Sequence, residues 1–348
     1  ACGRRVRVML PDGPCAARLE VLGACVVRIP PCALRQGRKD WRDILRFVLF
    51  NCRLLLKHFR EFRDTKLVYV NGNRLLLAAA LSSLLLGTRA AYHIHLNHGR
   101  AERGLFAAVL CLRGTRALVV PSDFIRRALT AADAHFDNPR CLVVENGLDA
   151  RFADISYVDR FSGRPLRHVG ILGRVSPEKG QDVLLPLAHE FPQLDFHILG
   201  DAAFSANDYL ARLQTKAPKN VHFHGWVEDV PAKVTALGLQ VCLVPSRCPA
   251  DDPTRSFEAA PLVPLQMAAL SCLVAVRDLG ALHDVAQALR LASFDTDASI
   301  AQILRTFLAA APEKLAGMSR DAFSLTAQRY SHEAFQQRLR TLLSMLLD

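Results

Sequence analysis

Two cations five residues apart, Arg174 and Lys179, lie in the glycine-rich stretch GRVSPEKG (173–180). An apolar, strand-like run precedes this stretch, and a helix-like run follows it. A helix N-terminus presents free N–H groups and partial positive charge, and glycine lets the backbone approach a ligand closely. The stretch therefore predicts a site for a diphosphate, with an ordinary basic loop as the alternative interpretation.

A second set of polar residues lies in RSFEAAPLVPLQMAAL (255–270). Glu258 ends a loop rich in proline and aspartate, and Gln266 follows eight residues later in a helix-like run. A carboxylate accepts hydrogen bonds from sugar hydroxyls, free backbone N–H groups donate to them, and a later amide can reach a ribose. This spacing predicts a site for a ligand that carries several hydroxyl groups.

The elements that must position these residues form two series of short, almost wholly apolar runs, with helical patterns between them. Strands that crossover helices bury on both faces have this composition. The first series ends near residue 146, and an irregular stretch over 149–165 separates it from the second. The sequence predicts an α/β protein of two Rossmann-like, doubly wound domains that face a cleft. The predicted strands lie at 5–10, 25–29, 66–71, 90–96, 117–122, 141–146, 167–173, 195–201, 221–225, 240–246, 271–276 and 289–294.

Charge is distributed unevenly along the 348 residues, whose formal net charge is +11. Residues 1–150 hold 24 basic and 12 acidic residues, a net charge of +12, and the remainder holds 20 basic and 21 acidic residues. The densest basic stretch, 35–63, predicts an amphipathic helix that contacts an anionic membrane surface. A solvated basic face on a core helix is the alternative interpretation.

The sequence gives less support to membrane-spanning, zinc-binding and nucleic-acid-binding proteins. The longest apolar stretch, 75–87, is too short to span a bilayer and predicts a buried helix. The ten cysteines include no C-x-x-C pair, which argues against a zinc site and favours a reducing cytoplasm. A nucleic-acid-binding protein is a third alternative, supported only by the basic charge, because no recognisable nucleic-acid-binding signature is present. We expect no nucleic-acid partner.

The order of these motifs resembles that of family 4 glycosyltransferases, which have the GT-B fold and retain the anomeric configuration of the transferred sugar. The hallmark of the family is Glu-x7-Glu, preceded by a loop that resembles GRVSPEKG. Further segments resemble family segments and occur in the same order along the chain: PSDFIRR (121–127), VVENGLDARF (143–152), HILGD (197–201), VHFHGWVED (221–229) and VPS (244–246).

The resemblance implies a role for each matching residue. Arg174 and Lys179 would hold the diphosphate of a nucleotide-sugar and stabilise it as the leaving group, without a metal or other cofactor. Glu258 would be catalytic and contact the donor sugar, whose hydroxyls would accept from the backbone N–H groups of Leu262 and Val263. Gln266 would grip the ribose, and VHFHGWV would lie along the base. His95 matches the catalytic histidine of the family, and His93 and His98 are the neighbouring alternatives.

The resemblance also implies an organisation of the chain. Residues 1–155 would form an acceptor-side domain that lacks the first strand–loop–helix unit of the family. Residues 156–330 would bind the nucleotide-sugar, and a final helix within 331–348 would cross back to the first domain.

The function that follows is transfer of a sugar from a nucleotide-sugar to a saccharide or lipid-linked acceptor, in cell-surface polysaccharide synthesis. We expect a cytoplasmic protein that is peripheral at the cytoplasmic face of the membrane. The alternative is a degenerate, non-catalytic GT-B protein that binds a nucleotide-sugar or a partner. Gln266 favours this alternative, because it replaces a charged glutamate of the family motif.

Overall fold

The computed structural model describes residues 6–32, 40–95, 99–202, 207–248 and 258–348. Two parts of the predicted sites lie outside these residues, namely His98 and the start of the loop before Glu258. The contacts divide the chain into two compact units. The first unit comprises Ala1–Ile94, Ala108–Leu118 and Leu347, and the second comprises His95–Ala107, Val119–Leu346 and Asp348. The predicted domain limits at 1–155, 156–330 and 331–348 stay predictions.

Twelve strands occur in the described residues, one for each predicted run. In the first series they are β1 (Arg7–Leu10), β2 (Cys25–Arg28), β3 (Leu67–Asn71), β4 (Arg89–His93), β5 (Thr115–Val120) and β6 (Cys141–Val143). In the second series they are β7 (His168–Leu172), β8 (Asp195–Leu199), β9 (Val221–Phe223), β10 (Val241–Val244), β11 (Leu273–Arg277) and β12 (Ala292–Phe294).

Fourteen α-helices occur in the same part of the chain. The helices before β7 are α1 (Pro14–Val21), α2 (Trp41–Lys57), α3 (Phe59–Arg63), α4 (Leu76–Leu86), α5 (Arg100–Leu110) and α6 (Asp123–Ala132). The helices after β7 are α7 (Leu184–Glu190), α8 (Asn207–Lys216), α9 (Val230–Leu237), α10 (Leu262–Ala269), α11 (Ala281–Leu289), α12 (Asp297–Ala309), α13 (Pro312–Tyr330) and α14 (His332–Leu347). No helix among the described residues is long and apolar enough to cross a membrane.

The second series of strands forms one parallel sheet in the order β12-β11-β10-β7-β8-β9. This is the order of a doubly wound dinucleotide-binding fold, with its switch point between β7 and β10. All four residues of β10 are buried, and apolar clusters lie on both faces of the sheet, one around Phe196 and the other around Val274. Burial on both faces explains why the strands are nearly continuous apolar runs.

The first series of strands forms two smaller sheets. Strands β1 and β2 pair in parallel, and a separate four-stranded sheet has the order β3-β4-β5-β6. The strands β1 and β2 are only half-buried. An apolar cluster in the first unit includes Ile29, Leu54 and Phe62. The predicted fold class is therefore confirmed as two α/β domains built on parallel strands.

The basic stretch predicted as one helix over 35–63 is two helices in its described part. α2 begins after a capping box between Asp40 and Asp43 and ends at Lys57, and the non-helical backbone of His58 separates it from α3. Residues 35–39 lie outside the described part. The buried side of α2 includes Asn51 and Leu54, whereas six large apolar residues are 37–74% exposed: Trp41, Ile44, Leu45, Val48, Leu49 and Leu56.

Candidate active site

The candidate site lies in the second unit, at the switch point of the six-stranded sheet. The chain leaves β7 at Leu172 and leaves β10 at Val244, and the strand order reverses between these two strands. Ligands of doubly wound sheets bind outside the carboxyl ends of the strands at this point. The two segments that follow, 173–181 and 245–248, therefore lie where the fold favours a ligand.

The loop after β7 depends on close backbone packing. Gly200 has a φ of +144°, and a Cβ placed on it would lie 1.9 Å from the carbonyl oxygen of Gly173. Gly180 has a φ of +71°, and a Cβ there would lie 2.6 Å from the carbonyl oxygen of Pro245. Only glycine combines these conformations with such contacts. The glycines therefore bring the segments after β7, β8 and β10 together.

Buried Gln181 organises the inside of this loop. Its amide nitrogen donates to the carbonyl oxygen of Arg174 at 2.8 Å, and its amide oxygen accepts from the N–H of Ser176 at 3.3 Å. Pro177–Lys179 is a single 3-10 turn, which ends at Gly180 in the left-handed region. Arg174 and Lys179 are thus held at opposite ends of one compact turn.

The structure brings Lys179 and Glu258 together across 79 residues of sequence. The Lys179 ammonium forms an ion pair with Oε1 of Glu258. The same oxygen accepts from the hydroxyl of Ser246 at 2.9 Å, and Ser246 is itself buried. Among the described residues, no hydrogen-bond partner of Oε2 is found. The carboxylate is thus held through one oxygen, and its other oxygen can accept from a ligand hydroxyl.

Arg174 has a different partner. Its guanidinium pairs with the carboxylate of Glu178, four residues later in the same loop, and its side chain is half-exposed. Burial alone would raise the pKa of Glu178, but hydrogen bonds within the loop and the nearby guanidinium outweigh burial, so this pKa lies below its ordinary value. Glu178 therefore stays ionised, and a diphosphate would compete with it for Arg174.

The N-terminus of α10 presents two backbone N–H groups that have no intrahelical partner. A helix leaves its first four N–H positions without intrahelical partners, and here the cap Pro261 and the third helical residue Pro264 have no N–H. The remaining donors are the N–H groups of Leu262 and Val263, the two predicted to bind the sugar. Gln266 lies one turn later and is half-buried.

The two predicted histidines in the described residues, His93 and His95, lie at the end of β4. His95 follows the strand by two residues and is half-buried, whereas His93 is buried and its Nδ1 lies 2.8 Å from the hydroxyl of Tyr69. The catalytic assignment of His95 stays a prediction, as do the ligand roles of the other site residues. Among the described residues, no cluster of metal-ligating side chains occurs, and the metal-free mechanism also stays a prediction.

A cavity of about 410 Å³ borders the same region through Ala260 and Pro261. Its two arginines are already ion-paired, Arg127 with Asp284 at 2.7 Å and Arg329 with Glu145 at 2.9 Å. None of the predicted cations or Glu258 lines this cavity. We therefore place the candidate site at the switch point rather than in the cavity.

Sequence reasoning assigned no role to Ser246 or Arg247. Both directly follow β10, and Arg247 contacts the loop after β7 through its backbone and its side chain. Their position in the sequence could have indicated a role, because residues just beyond the carboxyl end of a buried strand lie where ligands bind. Their partners are 12 and 65 residues away in sequence, so the individual contacts gave no signal.

Family models and solved structures give a consistent assignment. Residues 167–309 match the model of glycosyl transferases group 1, and residues 1–147 match that of the glycosyl transferase 4-like domain. Among curated proteins, none matches the sequence.

Three solved structures show the likeness in fold. HepE of Anabaena, in complex with UDP, is 20% identical with a TM-score of 0.76, and the match covers 97% of this chain and 91% of HepE. Sucrose-phosphate synthase of Thermosynechococcus elongatus is 14% identical with a TM-score of 0.73, over 99% and 90% of the two chains. A glycosyltransferase of Rickettsia africae is 14% identical with a TM-score of 0.75, over 100% and 91%.

The fold and the matches define a glycosyltransferase of the GT-B class. Within that class, the two family models together span most of the sequence, from residue 1 to residue 309. The chain belongs to family 4 of the glycosyltransferases, the group 1 glycosyl transferases.

Proposed function

We propose that this glycosyltransferase transfers a sugar, with retention of configuration, from a nucleotide-sugar to a saccharide or lipid-linked acceptor. The observation that carries the proposal is the ion pair of Lys179 with Glu258, a residue that lies shortly before α10 and its two N–H groups without intrahelical partners in the chain. A cation suits a diphosphate, and a carboxylate with backbone donors suits sugar hydroxyls. These two kinds of group lie next to each other, as the two halves of a nucleotide-sugar do.

In this proposal, Lys179 and Arg174 contact the diphosphate. Negative charge grows on the diphosphate as the bond to the sugar breaks, and fixed cations stabilise the growing charge. Such electrostatic stabilisation of a leaving group is the main chemical contribution that we assign to the second unit. It needs neither a metal nor a bound cofactor.

Glu258 orients the sugar, and Gln266 accepts from or donates to the ribose. Since Lys179 and Ser246 both act on Oε1, the other oxygen of Glu258 is placed to accept from a sugar hydroxyl. The N–H groups of Leu262 and Val263 donate to further hydroxyls. His95 is proposed to act near the reacting carbon. HepE, whose structures contain UDP and UDP-glucose, supports a uridine nucleotide as the first donor to test.

We also propose that the protein is cytoplasmic and binds the cytoplasmic face of an anionic membrane through α2, in the synthesis of cell-surface polysaccharide. Viewed along its axis, α2 has three sectors: a core-facing side, the exposed apolar residues given above, and a basic side. The basic side comprises Arg42, Arg46, Arg53 and Lys57. An exposed apolar sector beside a basic one is the pattern of a helix that lies in the membrane interface.

A donor screen tests the transferase proposal. Calorimetric titration with UDP-, GDP- and dTDP-sugars should identify one nucleotide that binds, and lipid-linked acceptors should then support turnover. Binding without turnover on any acceptor would favour the non-catalytic alternative, which Gln266 also favours. If none of the three nucleotides binds, the donor-site proposal is wrong.

Vesicle flotation tests the membrane proposal. The double substitution Ile44→Ser and Leu45→Ser should weaken binding to anionic vesicles about tenfold or more, because it removes apolar area from the interface. Leu84→Ser with Leu85→Ser is the matched control, since these residues of α4 are at least as exposed as Ile44 and Leu45. Binding of the wild type to anionic vesicles should also fall with salt. Equal binding to neutral and anionic vesicles would contradict the proposal.

A further inference from the structure

The three residues after β10 each contact a different part of the candidate site. Pro245 packs its carbonyl oxygen against Gly180, and Ser246 donates to Glu258 at 2.9 Å. The backbone N–H of Arg247 donates to the carbonyl oxygen of Glu178 at 2.7 Å. This short segment thus contacts the loop after β7 (residues 173–183, called the diphosphate loop below) on both sides of Lys179. It also contacts the Glu258 carboxylate, which pairs with Lys179.

The guanidinium of Arg247 extends this connection. One of its terminal nitrogens lies 3.0 Å from both carboxylate oxygens of Asp182, and the other donates to Asp297 at 2.5 Å. Asp297 is the first residue of α12, and it also pairs with Arg277 at the end of β11. Asp182 is further held by the hydroxyl of Tyr209 at 2.8 Å. The loop is therefore fixed to two helices, to α8 through Tyr209 and to α12 through Arg247.

We propose that Arg247 is a positioning residue for the diphosphate loop, which it holds so that Lys179 stays against Glu258. This inference rests on the proposed donor site, and it adds a residue that contacts no part of the donor in that proposal. Arg247 binds the loop at Glu178 and Asp182, the residues on either side of the stretch from Lys179 to Gln181. Loss of the guanidinium removes the Asp182 and Asp297 contacts and leaves only the backbone contact at Glu178.

The first test is amide hydrogen exchange of the unliganded protein, which needs no nucleotide. Arg247→Ala should speed exchange at Lys179, Gly180 and Val183 about tenfold or more, because the turn opens more often once Asp182 is released. Arg305→Ala is the matched control, since it removes an arginine–glutamate pair from the same helix α12 without contact to the loop. Unchanged exchange in Arg247→Ala would overturn the proposal.

The second test is UDP affinity at fixed salt, with UDP-glucose hydrolysis as a kinetic readout. Arg247→Ala should weaken UDP about tenfold and raise KM, whereas Arg305→Ala should leave both unchanged. Arg247→Lys keeps the charge, so its UDP affinity and KM should lie between those of the wild type and of Arg247→Ala. This variant replaces Arg247→Ala in the test if the alanine variant fails to fold.

The two tests separate the inference from the proposed function. A wild type that binds no nucleotide contradicts the donor site, while the exchange result still decides the positioning role of Arg247. A wild type that binds UDP with the same affinity as Arg247→Ala contradicts only the positioning role.

Discussion

The six-stranded sheet of the second unit and the region of β1, β2 and α2 in the first unit differ in how completely they bury their apolar residues. In the six-stranded sheet, β10 and most of β11 are buried, and apolar clusters cover both faces. In the first unit, β1 and β2 are half-exposed, and α2 leaves six large apolar side chains in solvent. The comparison indicates that the second unit buries its apolar residues around the sheet that carries the candidate site, whereas the first unit leaves apolar residues of α2 exposed to solvent.

The largest effect should come from the backbone contact that holds the loop after β7. Gly200→Ala places a Cβ against the carbonyl oxygen of Gly173 at a φ that side chains avoid. We expect the free energy of unfolding to fall by roughly 3–5 kcal/mol, measured by denaturant titration. Gly317→Ala is the control, because no atom lies within 4 Å of its added Cβ and the residue lies inside α13. A Gly200→Ala protein as stable as the wild type would show that the loop is not held by this contact.

The next largest effect should be the loss of folding stability at acidic pH. Burial and the neighbouring imidazoles of His224 and His168 lower the pKa of His197 to about 3. The imidazole rings of His168, His197 and His224 form a hydrogen-bonded chain. The nitrogen–nitrogen distances from His197 are 3.1 Å to His168 and 3.0 Å to His224. An unfolded histidine titrates near 6.5, so the unfolded state binds a proton first and stability falls as pH drops from about 6.5 toward 3.

The slope of this loss should approach about 1.4 kcal/mol per pH unit. His197→Gln, which keeps a donor and an acceptor, should flatten the pH dependence of the unfolding free energy between pH 6.5 and 4. The same replacement at exposed His135 is the control. An unchanged slope in His197→Gln would show that the histidine chain does not control acid stability.

The smallest effect should occur at the exposed member of a pair of leucines in α2. Leu54 is 4% exposed in the apolar cluster, and Leu54→Ala should cost about 2–5 kcal/mol of stability. Leu45 is 48% exposed, and Leu45→Ala should change stability by no more than about 0.5 kcal/mol. Thermal or denaturant unfolding measures both. Similar losses in the two variants would mean that the outer face of α2 is covered in solution.

The sequence predicted the strands better than the surfaces. Each of the twelve strands lies within or beside its predicted run, because strands that are covered on both faces need continuous apolar residues. The break of the basic stretch at His58 was not predicted, since both parts continue the same apolar pattern. Nor could the pattern tell which apolar residues of α2 face the core, because that depends on the elements packed against it.

For the candidate site, too, the sequence predicted residues but not the contacts between them. Resemblance and spacing named Lys179, Glu258 and the two donors of α10, but the ion pair depends on the strand order that places β7 beside β10. The role of Arg247 required the position of Asp182, a residue 65 positions earlier. Contacts of this kind follow from topology, so they became visible only in the folded chain.

We propose that the turn at the switch point binds the diphosphate of a nucleotide-sugar, and calorimetric titration with UDP at fixed salt measures this binding. Lys179→Ala should weaken binding by about 1.5–3 kcal/mol, which is roughly a 10- to 150-fold loss, and Arg174→Ala should weaken it in the same direction. Lys219→Ala, which removes an exposed lysine elsewhere in the second unit, should bind as the wild type does. Unchanged UDP affinity in both Lys179→Ala and Arg174→Ala would contradict the claim.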